Sequence, residues 1–168
     1  LISDNVSIFG NLPYNISSQI LVKFLKFKNW PPKYKEIIFM FQKELGKKII
    51  GKFSTPEYGR LSILSNYRLR IAGKFLVSPN CFQPKPKVTS MVIHFKPKNN
   101  TNFKIRKISN LEKITNIVFS NKRKMINKNL KKILKKDQIK SLSNLKLNDR
   151  PADLKPELYY KITELFEE

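Results

Sequence analysis

The sequence predicts an α/β fold, in which a doubly wound sheet is followed by a small all-helical domain. Strand-like and helix-like segments alternate through the first two-thirds of the 168 residues, the order that builds a doubly wound sheet. Residues 37–41 form a continuous apolar run, typical of a strand covered on both faces in a parallel sheet. The composition changes at residues 97–102, which we interpret as a linker. We therefore divide the chain into a sheet domain, residues 1–97, and a helical domain, residues 98–168.

The elements of the sheet domain are predicted in chain order. Residues 6–9 read as a short strand that ends at Gly10. A helix is expected to start from an N-cap at Asn15 and to stop at Trp30-Pro31-Pro32. After the strand at 37–41 come predicted helices over 43–50 and 61–69 and predicted strands over 71–78 and 88–95. A proline-rich loop, residues 79–87, joins the last two strands.

The helical domain combines apolar stripes at helical spacing with a large excess of cations. Residues 104–136 contain twelve Lys and Arg residues and one acid, Glu112. One stripe runs from Ile126 to Leu134, and another runs from Leu154 to Leu165 in a last helix. At about 100° per residue, five lysines lie opposite the first stripe. We call them the lysine ridge: Lys124, Lys128, Lys131, Lys132 and Lys135.

Charge and composition narrow the class of protein. With 34 Lys and Arg against 12 Asp and Glu, the net charge is +22, which implies a polyanionic partner such as nucleic acid or an anionic membrane surface. Because no apolar run is long enough to span a bilayer and the aromatic residues suit a folded domain, nucleic acid is favoured over a membrane. The single Cys81 excludes a disulfide framework and a thiolate zinc cluster. With a single histidine, His94, a histidine-rich metal site is also excluded, and no metal is expected.

The most informative segment is Asn11-Leu12-Pro13-Tyr14, between a predicted strand and a predicted helix. Ligands of doubly wound folds bind beyond the carboxyl ends of the strands, where this turn would lie. An asparagine oxygen and a backbone carbonyl held by the following proline supply two acceptors for an amino group, and the tyrosine ring can stack on the attached base. The alternative is an ordinary Asn-Pro turn with Tyr14 in the core.

The segment VSIFGNLPYNISS, residues 6–18, resembles motif IV of the ribosomal RNA adenine dimethyltransferases, a family that depends on S-adenosylmethionine. Within that family it is most similar to the bacterial small-subunit branch, the kasugamycin-sensitivity enzymes. The similarity continues in order through residues 41–44, 58–62, 82–90, 119–124 and 150–151. It implies that residues 1–97 are the C-terminal part of a Rossmann-like methyltransferase domain and that the helical domain binds ribosomal RNA.

The resemblance also implies roles for individual residues. The Asn11 side chain and the Leu12 carbonyl, held by Pro13, would accept hydrogen bonds from N6 of a flipped adenine. Tyr14 would stack on one face of that base, and Phe82 would cover the other face. Asn11 would also touch the cofactor, S-adenosylmethionine. Such contacts would localise the N6 lone pair and aim it at the sulfonium methyl group.

Cations near these motifs are assigned to RNA phosphates. The expected RNA-binding residues are Arg60, Lys85, Lys87, Lys122, Arg123, Lys124, Lys128, Lys131, Lys132 and Lys135. For Arg60 the alternative is a loop that only orients a helix, and for the lysine ridge it is a solvated face. The excess of twelve cations over one acid in residues 104–136 favours RNA contact for the ridge.

The leading interpretation is an enzyme that dimethylates two adjacent adenines in the 3′-terminal hairpin of small-subunit ribosomal RNA. Its expected substrate is a 30S assembly intermediate in the cytoplasm, and a monomer is the simpler expectation. The alternatives are a large-subunit methylase of the macrolide-resistance type and a non-catalytic nucleic-acid-binding factor derived from a methyltransferase.

One departure from the family limits this interpretation. The family's glycine-rich loop and ribose-binding acid should precede motif IV, and neither stands in these 168 residues. Asp4 is too close to Asn11 to be that acid. The chain is therefore expected to lack roughly the first third of the catalytic domain and to be inactive by itself.

Overall fold

A computed structural model describes residues 6–99, 102–143 and 145–168. Asp4 and residues 100 and 101 of the expected linker lie outside the described part.

Four strands form one mixed sheet. They are β1 (Val6–Asn11), β2 (Tyr34–Gln42), β3 (Leu69–Val77) and β4 (Ser90–Pro97), in the spatial order β1-β2-β4-β3. β1 and β2 are parallel, whereas β4 is antiparallel to both β2 and β3. The expectation that the strand at 37–41 belongs to a parallel sheet is therefore correct on its β1 side only. The reason is that the link between β3 and β4 contains no crossover helix, so the chain reverses direction there.

Seven helices accompany this sheet in the described part of the chain. They are α1 (Ser17–Leu25), α2 (Lys43–Ile50), α3 (Arg60–Arg68), α4 (Ile108–Phe119), α5 (Asn127–Leu130), α6 (Lys136–Lys140) and α7 (Pro156–Glu167). The prediction of a helix over 43–50 is confirmed, and the one over 61–69 is correct to within one residue. None of the described helices is both long and apolar enough to cross a bilayer.

The predicted limits of α1 are wrong at both ends. Ile16, rather than Asn15, occupies the N-cap position, and no side chain caps the helix. The chain first makes a tight turn, in which the Ile16 amide donates to the Pro13 carbonyl at 3.2 Å. The helix also ends at Leu25, before Trp30.

The lysine ridge does not lie on one continuous helix, as its spacing suggested. α5 ends at Leu130, and α6 begins only at Lys136. A run of like charges on one face of a continuous helix is unfavourable. The apolar stripe does not need such a helix, since Ile126, Leu130 and Leu134 are all buried although the backbone between α5 and α6 is not helical. All five ridge lysines are exposed.

The two faces of the sheet differ. Along β2, Ile37, Phe39 and Phe41 are buried under the helices and are part of the main core cluster. The opposite face carries large exposed side chains, with Phe9 71% and Phe75 62% exposed. Because strand residues alternate between faces, one face of this sheet is the core and the other is open in the described structure.

Tyrosine hydroxyls fix the region after residue 97 onto α3 and the loop before it. The Tyr58 hydroxyl donates to the Leu154 carbonyl at 2.8 Å, and the Tyr160 hydroxyl donates to the Ile63 carbonyl at 3.0 Å. Burial raises the pKa of both hydroxyls, so they remain protonated donors at neutral pH. One buried cluster runs through both regions, and the boundary at residue 97 stays a prediction.

Glu36 connects three strands on the open face. Its Oε1 atom accepts from the Ser7 hydroxyl of β1 at 2.6 Å, and its Oε2 atom lies 2.8 Å from His94 Nε2 of β4. The hydrogen bond from Ser7 and then that from His94 hold the pKa of Glu36 below the ordinary glutamate value of 4.5. We call this the Ser7–Glu36–His94 clip.

This clip predicts an acid-dependent contribution to stability. A carboxylate whose pKa is lower in the folded state stabilises the fold above the ordinary value, and that contribution is lost as the pH falls through the folded value. Glu36→Gln should therefore lower the melting temperature at neutral pH and approach the wild type below pH 4.5. Glu44→Gln, at a side chain that is 74% exposed, is the control. A pH-independent difference between wild type and Glu36→Gln would contradict the assignment.

Candidate functional site

The turn Asn11–Tyr14 lies where β1 ends and the chain enters α1. Asn11 pairs with Met40 near the end of β2, and Gln42 at that end pairs with Ser90 at the start of β4. The turn, the end of β2 and the start of β4 therefore lie at one end of the sheet. This is the carboxyl end of the parallel pair, where ligands of such folds bind.

Gly10 allows the turn to pack closely on the sheet. A Cβ atom at this position would lie 2.8 Å from Leu12 Cδ2 and 2.9 Å from Phe39 Cδ1. The Leu12 side chain thus folds back over β1 against a core ring. A side chain at position 10 would displace the Leu12 side chain or the Phe39 ring.

The Tyr14 ring is held by its hydroxyl. The Tyr14 hydroxyl and Ser90 Oγ lie 2.6 Å apart, and Ser90 is completely buried at the start of β4. The Tyr14 carbonyl accepts a hydrogen bond from the Ser17 hydroxyl at 3.1 Å. Tyr14 is half-buried, so its ring is fixed at the site without being enclosed in the core.

Two hydrogen-bond acceptors of the same turn remain free in the described structure. The Asn11 side chain is exposed and makes no hydrogen bond to the described residues. The Leu12 carbonyl accepts none from them either, whereas the Pro13 carbonyl is used by the Ile16 amide. A pair of free acceptors suits a planar amino group with two N–H donors.

Phe82 belongs to the loop that returns to the same end of the sheet. The loop ends at Thr89, whose carbonyl accepts from the Lys43 amide at 3.0 Å just after β2, and β4 begins at the next residue. Phe82 is half-buried. Neither its ring nor that of Tyr14 contacts another aromatic ring of the described chain.

The predicted RNA-binding cations fall into three groups, in the loop before β4, after α4 and at Arg60. The loop lysines and those after α4 are exposed, and none forms an ion pair with a described acid. These residues are Lys85, Lys87, Lys122, Arg123, Lys124, Lys128, Lys131, Lys132 and Lys135. Arg60 is separate, because it lines a cleft with Lys23, Lys26 and Glu112, and its buried Nε atom has no partner in the described structure.

Sequence reasoning did not find Ser90. It is the last residue of the loop motif, and nothing in its spacing indicates a buried partner for a tyrosine 76 positions earlier. The same reasoning did not find the role of Gly10 beyond ending a strand. Among the described residues, no three His, Cys, Asp or Glu side chains converge as a metal site would need.

A family model described as ribosomal RNA adenine dimethylase matches residues 1–168. A protein named ribosomal RNA small subunit methyltransferase A from Pelagibacter ubique is 40% identical over 99% of this chain and 64% of its own length. A protein of the same name from Rhizobium etli strain CIAT 652 is 42% identical over 75% of this chain and 45% of its own length. The chain therefore spans less than two-thirds of these curated relatives.

Two solved structures share the fold. A dimethyladenosine transferase from Plasmodium falciparum superposes with a TM-score of 0.72 at 22% identity, over 96% of this chain and 66% of that one. The 23S rRNA methyltransferase ErmE gives a TM-score of 0.64 at 18% identity, over 98% of this chain and 66% of its own. The predicted Rossmann-like α/β class is confirmed by these similarities.

The Tyr14–Ser90 contact can be tested by a double-mutant cycle. Tyr14→Phe and Ser90→Ala each remove the hydrogen bond, so the double variant should lose about 1 kcal/mol less unfolding free energy than the sum of the two single losses. Chemical denaturation measures all four free energies. Ser120→Ala, which removes an exposed hydroxyl on α4's C-terminus, should be additive with Tyr14→Phe. Additivity of Ser90→Ala would mean that the ring is held by packing alone.

Proposed function

Because the chain belongs to the ribosomal RNA adenine dimethylase family, we propose that it provides the adenine-binding turn of an S-adenosylmethionine-dependent methyltransferase. The proposed reaction transfers methyl groups to N6 of two adjacent adenines in the 3′-terminal hairpin of small-subunit ribosomal RNA. The observation that carries this proposal is the pair of free acceptors, Asn11 Oδ1 and the Leu12 carbonyl, beside a tyrosine ring anchored on Ser90. The names of the two relatives support the choice of the small subunit.

The residues of the turn fit the chemistry of N6. The N6 lone pair of adenine is delocalised into the ring and attacks poorly. Asn11 and Leu12 would accept from the two N–H groups, and Tyr14 and Phe82 would hold the ring between them, so that the lone pair points to one side. S-adenosylmethionine, when bound, supplies an electrophilic methyl group on that side. Asn11 is exposed, and it is the residue of this chain that would contact the cofactor.

The cations would supply the grip on RNA. Loop adenines are single-stranded and inexpensive to extrude, so the remaining requirement is to hold the RNA backbone while one base enters the turn. Lys85 and Lys87 lie in the same loop as Phe82, and the lysine ridge adds a second exposed surface. The substrate would be a 30S assembly intermediate in the cytoplasm, and a monomer remains the prediction.

A large-subunit methylase is the second candidate, since the fold of a 23S rRNA methyltransferase matches with a TM-score of 0.64. Primer extension on both ribosomal RNAs, after expression of the complete enzyme in a strain that lacks the small-subunit modification, separates the two. Stops in the small-subunit 3′-terminal hairpin support the proposal, and stops only in large-subunit RNA replace it. Binding without any stop favours the non-catalytic alternative.

Asn11→Ala in the complete enzyme should abolish most methylation and leave RNA binding intact. Loss of one hydrogen-bonding group at a reacting centre costs about 100-fold to 1,000-fold in rate, and the Asn11 side chain makes no hydrogen bond to the described residues. Methyl incorporation and RNA affinity are measured on the same preparation. Asn29→Ala, at an exposed asparagine after α1, is the matched control. Full activity of Asn11→Ala would show that the site assignment is wrong.

A further inference from the structure

A second concave, basic surface lies at the end of the sheet opposite the Asn11–Tyr14 turn. Lys33 and Lys35 at the start of β2, Arg70 at the start of β3 and Lys96 near the end of β4 line a cavity of about 480 Å³. We call these four residues the basic bowl. The described residues that line the cavity include no acid.

The bowl brings like charges together at fixed positions. Arg70 and Lys96 are directly opposed in the antiparallel β3–β4 ladder. Like charges directly opposite each other in a ladder are unfavourable. None of the four cations forms an ion pair with a described acid. The acid of the adjoining strand, Glu36, is engaged by Ser7 and His94. The Glu36 carboxylate also attracts the neighbouring Lys35, but one acid beside four cations leaves the bowl with an excess of positive charge.

The arrangement suits phosphate groups. Three of the four cations stand on three strands of the sheet, and Lys33 directly precedes β2. An anion that enters the depression meets several of them at once and offsets the repulsion between Arg70 and Lys96. We propose that the basic bowl binds backbone phosphates of RNA at a position separate from the adenine-binding turn. The identification of the polyanion as RNA rests on the proposed function.

The distance between the bowl and the turn determines which part of an RNA the bowl would bind. From Lys35 to Gln42, β2 rises by seven residues, which is about 23 Å at roughly 3.3 Å per residue. A base in the turn and a phosphate in the bowl thus belong to segments separated by the length of the sheet. The bowl holds RNA outside the target loop and adds to substrate recognition without touching the reacting base.

The test compares two variants of this 168-residue chain that lose the same charge. Arg70→Gln/Lys96→Gln removes two bowl cations. Lys155→Gln/Lys161→Gln removes two exposed lysines beside Asp149, Asp153 and Glu157. The probe is a long-stemmed RNA hairpin with an adenine-containing loop, and fluorescence anisotropy gives its affinity at several salt concentrations. The bowl variant should bind more weakly, and the negative slope of log affinity against log salt should decrease in magnitude by about two. The control variant should keep the slope of the wild type.

The melting temperature, measured with and without RNA, tests the same variant in a second way. Without RNA, loss of the opposed Arg70 and Lys96 charges should raise the melting temperature, whereas the stabilisation by added RNA should shrink. If the bowl variant without RNA has a lower melting temperature than the wild type, the substitutions have damaged the fold. The binding assay then uses Lys33→Gln/Lys35→Gln, at two exposed positions. An unchanged salt slope in the variant assayed overturns the proposal. Loss of inorganic phosphate binding with unchanged RNA binding also overturns it, in favour of a free-anion site.

A short oligoadenylate separates this inference from the proposed function. It reaches the turn but not both ends of the sheet, so the bowl variant should bind it as the wild type does. A reduced slope with the long hairpin, together with full methylation by Asn11→Ala, would sustain the bowl and refute the proposed function. An unchanged slope together with an inactive Asn11→Ala variant would refute the bowl and sustain the proposed function.

Discussion

The pairing of β2 on both of its edges is the constraint on which the rest of the molecule depends. β2 runs parallel to β1 and antiparallel to β4, so the end of β1, the end of β2 and the start of β4 coincide. That coincidence brings Tyr14 to Ser90 across 76 residues of sequence. The same pairing sets the basic bowl at the other end, because Lys35 lies near the start of the strand that ends at Gln42. The adenine-binding turn and the basic bowl thus both result from the pairing of β2 with β1 and β4.

The turn is positioned by small, buried contacts rather than by its own sequence. Gly10 leaves room for Leu12 to pack on Phe39, and Ser90 holds the Tyr14 hydroxyl. Neither contact reaches the solvent side, where Asn11 and the Leu12 carbonyl stay unpaired. The backbone of the turn, with the Leu12 carbonyl, is thus already in place when a donor arrives, which lowers the cost of organising it, as in other pre-organised polar sites.

Much of this fold follows from local pattern, and the remainder depends on distant contacts. α2 is predictable because its apolar and charged residues have helical spacing between clear boundaries. The direction and position of β4 are not, since β4 reverses after β3 and then pairs with the edge of β2 that β1 leaves open. The lysine ridge shows another limit, because its apolar stripe is buried as expected although the backbone is helical only in short pieces. At the candidate site, the turn itself is visible in the sequence, whereas Ser90 and the Arg70–Lys96 opposition depend on strand register.

The open sheet face has a consequence for how this polypeptide behaves in a test tube. Phe9 and Phe75 expose most of their surface on a molecule with a net charge of +22. Mutual repulsion keeps such molecules apart in dilute buffer, but it fades when the Debye length shrinks from about 10 Å at 0.1 M salt to about 3 Å at 1 M. The hydrophobic attraction between exposed aromatic faces does not weaken with added salt. Salt is often added to keep basic proteins from associating, but here it removes the repulsion that keeps the molecules apart. A polyanion is therefore the better stabilising additive.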